Sequence, residues 1–144
     1  MTHGFFLPSV TLQGTDEQIA YWKPLAESGK IIGTYVQTEM AHGTNVGGVM
    51  TTATFDFEKD EFVIHTPCLE ATKFWPGGVG YSCTRKSLEF FRSDKILTSD
   101  SIDAFLVARM IIGGRDLGVH SFIVQIRSLE TFRPMKGIEL GDIG

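Results

Sequence analysis

Cysteine is scarce in this sequence: Cys68 and Cys83 are the only two, and they show no Cys-x-x-Cys spacing. That excludes a disulfide framework and a thiolate zinc site, and buried reduced thiols are the expected state. His3, His42, His65 and His120 are scattered, with no His-x-His or His-x-x-x-His pair, so no metal site is expected. No apolar run reaches the roughly 18 residues of a membrane-spanning helix. No block of like charges exists either, and a net charge of −4 with a pI near 5.5 argues against a nucleic-acid partner. The opening MTHGFFLPS lacks the basic and long apolar regions of a secretory signal, and no Ser-Lys-Leu type tripeptide appears at the end. A Gly-x-Ser-x-Gly elbow, a P-loop and a dinucleotide fingerprint are all missing.

Glycine and phenylalanine are plentiful: 16 Gly and 11 Phe, against two Trp and three Tyr. The glycines cluster at 43–48, 77–80 and 113–118, which marks tight loops. Residues 3–12 are apolar and read as a helix. Thr15-Asp16-Glu17-Gln18 is a capping box, in which hydroxyl and carboxamide each satisfy the other residue's amide. Behind it Ile19, Trp22 and Leu25-Ala26 recur at helical spacing, and Gly29 is the stop signal, so a helix is predicted over 16–27. From residue 31 the pattern turns β-branched and aromatic. Strands are expected at 31–37, in a hairpin over 51–66 with Ala53, Phe55 and Phe57 on one face, and at 104–112 and 119–127. The sum is an α+β chain, with short strands and Gly-rich turns that suggest a small sheet or barrel.

Eight blocks in order carry a resemblance. They are Gln13–Gln18, Trp22–Ala26, Gln37-Thr38-Glu39-Met40-Ala41-His42-Gly43-Thr44-Asn45-Val46, Thr51–Asp56, Glu61–Pro67 with Lys73-Phe-Trp-Pro-Gly-Gly78, Gly118–Arg127 and Gly141–Gly144. Together they resemble the acyl-CoA oxidase family, which shares its fold with the acyl-CoA dehydrogenases. The resemblance implies residues 1–30 as the end of an N-terminal helical domain. Residues 31–144 would be most of a mainly antiparallel middle β-barrel, and the chain would be a segment of a longer enzyme. It implies FAD as cofactor, fatty acyl-CoA as substrate and molecular oxygen as electron acceptor, in a homodimer located in the peroxisome. A base removes the α proton, the β hydrogen leaves as hydride to the flavin, and oxygen reoxidises the flavin to give hydrogen peroxide and trans-2-enoyl-CoA.

Carried over by motif, Thr38 and Gly77 are the flavin contacts. Hydride arrival places negative charge on the flavin, which donors at its edge stabilise. Gly77, after Trp75-Pro76, has no Cβ to hold a planar ring away. Alone, a threonine at a strand end and a glycine in a turn are ordinary; the surrounding motifs change the reading. Trp75 packs either beside the flavin or in the core. Gly43 and Thr44 line the acyl or CoA path. Glu39 invites assignment as the base, but in the family that glutamate comes from a C-terminal helical region, so no catalytic base is assigned in this chain.

Residues 85–103 depart from the pattern. The family runs from the Trp-Pro-Gly-Gly loop almost directly into the next strand, whereas here 19 residues intervene, eight of them charged. They are expected to form an ejected loop or short helix, since closure cost grows slowly with length, with Leu88, Phe90 and Phe91 exposed or over the flavin edge. Two other readings stand beside the oxidase: an acyl-CoA dehydrogenase passing electrons to a carrier protein, and a truncated β module without catalysis.

Overall fold

A computed structural model describes residues 2–74, 102–128, 130–131 and 133–140. Gly77, Trp75 and residues 85–101 of the expected insertion lie outside the described residues. The elements run in the order α1 (Leu7–Gln13, after a π-helical turn Thr2–Phe6), α2 (Asp16–Glu27), β1 (Ile32–Val36), β2 (Thr52–Asp56), β3 (Glu61–His65), β4 (Ile102–Ile112) and β5 (Arg115–Gln125). Strand β4 begins two residues before the expected position and β5 four before, because the pair is driven by a turn at Gly113-Gly114 (φ 58° and 75°) that lets pairing extend along both strands.

Helix α2 forms as its sequence dictates. Thr15 Oγ1 accepts from the Gln18 amide at 3.3 Å, and Gln18 Oε1 accepts from the Thr15 amide at 3.0 Å. At the other end Gly29, at φ 70°, closes a Schellman motif: its amide donates to Ala26 O and that of Lys30 to Leu25 O.

Two compact units partition the chain. The first holds the helices, the chain up to Tyr35, the start of β4 and the chain from Ile123 on. Its core is Phe6, Val10, Ala26, Ile31 and Phe105, with Leu7, Trp22, Leu25, Tyr35 and Ile123 packed against it. Tyr35 stacks on Phe105 at 5.7 Å and Phe6 meets Trp22 edge-on at 6.5 Å. The helices thus share one core with strand residues and do not stand apart from them. Gly33 is buried in β1 where a Cβ would overlap the Phe6 ring, so the close approach of helix and strand depends on its missing side chain.

The second unit spans Val36–Pro76 and Leu106–Phe122. Strands β2 and β3 pair antiparallel, from Thr52 opposite His65 to Asp56 opposite Glu61. Strand β2 also pairs with β4, in parallel, with Thr52, Ala53 and Thr54 opposite Arg109, Met110 and Ile111. Ala53 is buried and Phe55 half-buried, but Phe57 falls beyond the strand and is exposed, its ring 5.0 Å from Phe55.

The strand order is β1-β4-β2-β3, with β5 on β4. Among the described residues this is a mixed, open sheet, and these strands do not by themselves form the mainly antiparallel barrel that the resemblance implies. Alternation and turn signals fix strands and hairpins locally, but the parallel β2–β4 contact joins residues more than fifty apart and leaves no local mark.

Candidate functional site

Beyond β1 the chain does not continue as regular strand. Residues 38–41 instead pair with 70–74: the amides of Phe74, Met40 and Ala41 donate to Thr38 O (2.9 Å), Thr72 O (2.9 Å) and Glu70 O (3.0 Å). Glu39 and His42 exchange main-chain bonds across a tight turn, at 3.3 and 3.2 Å. The pattern that looked like a plain strand end in the sequence is a backbone-paired turn held against a second segment.

Glu39 is the hub of that turn. Its carboxylate is fully buried. Oε2 accepts from the Met50 amide at 2.8 Å. Oε1 accepts from the Thr51 amide (2.8 Å), the Thr51 hydroxyl (2.7 Å) and Lys73 Nζ (3.1 Å). Burial pushes this carboxyl up, but the two amides, the hydroxyl and the ammonium together outweigh it and hold it below the usual glutamate range. Lys73 is nearly as buried, and all three of its protons are used: on Glu39, on Gln37 O (2.9 Å) and on Val107 O (2.8 Å). Burial lowers the Lys73 ammonium and Glu39 only partly restores it. A carboxylate whose oxygens accept from four donors on two segments is a poor proton acceptor.

The loop that follows is braced from β4. Arg109 donates from Nε to Val49 O (3.1 Å), from Nη2 to Gly47 O, and from Nη1 to Asp116 Oδ2 (2.7 Å). His42 Nε2 lies 3.0 Å from Gly48 O. Lys73, Thr51, Arg109 and Asp116 were not singled out in the sequence. Lys73 stood inside a recognised block, but nothing local connects it to Glu39, 34 residues away.

Of the residues named from the sequence, Thr38 and Gly43 come together: a Cβ at Gly43 would sit 3.8 Å from Thr38 Cγ2. Thr38 is half-buried and its hydroxyl has no hydrogen bond among the described residues, whereas its neighbour Glu39 is saturated. Gly43 and Thr44 are exposed on the loop after the turn. A half-buried hydroxyl with its proton uncommitted, beside a residue without a side chain, fits an acceptor on the edge of a planar group. No set of His, Cys, Asp and Glu among the described residues could hold a metal ion.

No family model matches the sequence. Curated relatives do: the chain is 48% identical over 141 residues to peroxisomal acyl-coenzyme A oxidase 1 of Arabidopsis thaliana, covering 98% of this chain and 18% of that protein. The chain belongs to the acyl-CoA oxidase family. The fold agrees with the solved Arabidopsis thaliana acyl-CoA oxidase 1 at a TM-score of 0.83 and 46% identity, over 100% of this chain and 19% of that one. Acyl-CoA oxidase-2 of Caenorhabditis elegans, solved with FAD, ascaroside-CoA and ATP, matches at a TM-score of 0.81 and 37% identity, over 99% and 19%. The chain therefore spans about a fifth of the length of the oxidases it matches. Among the described residues no helix is long and apolar enough to cross a membrane.

Proposed function

We propose that this chain serves as the flavin-facing segment of an FAD-dependent acyl-CoA oxidase, which desaturates fatty acyl-CoA to trans-2-enoyl-CoA in peroxisomal fatty acid β-oxidation and forms hydrogen peroxide. The observation that carries the reading is agreement with acyl-CoA oxidases in sequence and fold along almost the whole chain, one of them solved with FAD and a CoA ester. In this reading the open sheet is part of a middle β-barrel, residues 1–30 close an N-terminal helical domain, and the complete enzyme is a homodimer.

Thr38 is the residue of the turn best suited to face the flavin. Its hydroxyl has no hydrogen bond among the described residues, and its carbonyl accepts from the Phe74 amide. Bound flavin supplies the two-electron acceptor; the chain's own part is to place a donor at its edge and a backbone without Cβ against its face. Gly43 and Thr44, exposed beside Thr38, would line the path of the acyl or CoA portion. The α proton falls to a base that this chain does not supply.

The test is a graft of this chain over the matching residues of the Arabidopsis oxidase. Flavin uptake and peroxide release on addition of a fatty acyl-CoA are expected. Reduction of the flavin with electrons reaching only an artificial carrier, and none reaching oxygen, would move the reading to a dehydrogenase. A folded graft without flavin would leave a β module with no catalytic part.

A further inference from the structure

We propose that Glu39 is the positioning residue of this site: its buried carboxylate fixes the turn that aims the Thr38 hydroxyl at the flavin edge. The inference rests on the reading of Thr38 as a flavin contact. Residues 38 and 39 are adjacent in an extended strip, so their side chains leave opposite faces. Glu39 is buried, while the half-buried Thr38 side chain has no hydrogen bond among the described residues. Whatever holds the Glu39 carboxylate therefore sets the orientation of Thr38. Four donors hold it: the Met50 and Thr51 amides, the Thr51 hydroxyl and Lys73 Nζ. Lys73 extends the hold to the carbonyls of Gln37 and Val107, so residues on both sides of Thr38 are pinned.

The requirement is specific to a carboxylate. Among the described residues every group in hydrogen-bonding distance of the Glu39 carboxylate is a donor, and only a carboxylate accepts at both oxygens. In Glu39→Gln the carboxamide oxygen can replace Oε1, but its NH2 then faces the Met50 N–H. Size is kept and one link is lost. An aspartate would be one methylene short of the Met50 and Thr51 amides.

The experiment uses the holoenzyme formed by the graft, with Thr38→Val, Glu39→Gln and the double variant. The readouts are the visible absorption of the bound flavin, its reduction potential, kcat and KM separately, and the unfolding midpoint. Thr38→Val and Glu39→Gln are each expected to shift the flavin band and potential in the same direction and to lower kcat about ten-fold, with KM little changed. The double variant should be no worse than Thr38→Val alone, because both act through one hydroxyl. If Glu39→Gln fails to accumulate folded, Thr51→Val removes one donor and leaves the carboxylate, and it is expected to give the same shift in smaller measure. The positioning role is overturned if Thr38→Val changes the flavin while Glu39→Gln and Thr51→Val lower only the unfolding midpoint. A flavin unaffected by Thr38→Val, or a folded graft that takes up no flavin, overturns the flavin-contact reading itself and the positioning role with it.

Discussion

The Lys73 ammonium sits 3.1 Å from Oε1 of Glu39, whose side chain is fully buried while that of Lys73 is largely so, and the adjacent Thr38 hydroxyl has no hydrogen bond among the described residues. A buried pair of this kind is costly to break from one side. The partner left behind keeps its desolvation penalty without its counter-charge. Lys73→Met is expected to lower stability by about 3 kcal/mol, read from urea unfolding at neutral pH. A loss below about 1 kcal/mol would place the pair with ordinary surface ion pairs.

The same carboxyl sets an acid limit. Its folded-state value lies below the ordinary 4.5. A depressed carboxyl contributes stability that is present above the unfolded value and disappears as pH falls through the folded one. Stability should thus be level with respect to Glu39 from neutral pH down to about 4.5 and should decline below it. Glu39→Gln should flatten that decline while lowering stability at pH 7. Denaturation midpoints measured at intervals from pH 7 to 3 test this, and parallel curves for the two proteins would contradict it.

Gly33 and Phe6 make a steric prediction. A methyl at position 33 has nowhere to go but the Phe6 ring. Gly33→Ala should cost about 2 kcal/mol, at the overpacking scale, while Gly4→Ala, open on all sides, should cost little. Thermal unfolding of the two variants compares them directly, and equal midpoints would show that the core yields at Phe6.

The capping box at α2 is an independent check on the first unit. Thr15→Ala leaves the Gln18 amide without its acceptor and should lower stability by about 1 kcal/mol. Thr15→Ser should recover most of it. Chemical denaturation followed by far-ultraviolet circular dichroism reads both, and an alanine variant as stable as the parent would mean that the helix start is held by packing alone.

What could be read in the residues was whatever depends on near neighbours. The capping box, the Gly29 stop and the Ile19, Trp22, Leu25, Ala26 stripe define α2 as Asp16–Glu27 because each signal lies within a few residues of its partner. The Thr52–His65 hairpin was legible for the same reason, since Asp56 turns the chain and its Oδ1 accepts from the Glu58 and Lys59 amides. The Thr38 to Thr44 strip could be named only because it matched a family motif; no periodicity marks it.

Sequence alone determined the family, the helix with its caps and the hairpins, and its motifs singled out Thr38. Tertiary structure decided the rest: that β2 runs parallel to β4, that the sheet among the described residues is open, and that Glu39 is a buried anchor and not a free carboxylate. The physical reason is distance along the chain. A charge becomes an anchor only when Lys73, Thr51 and the backbone of Met50 arrive around it, and such long-range closure has no local signature in the residues that it joins.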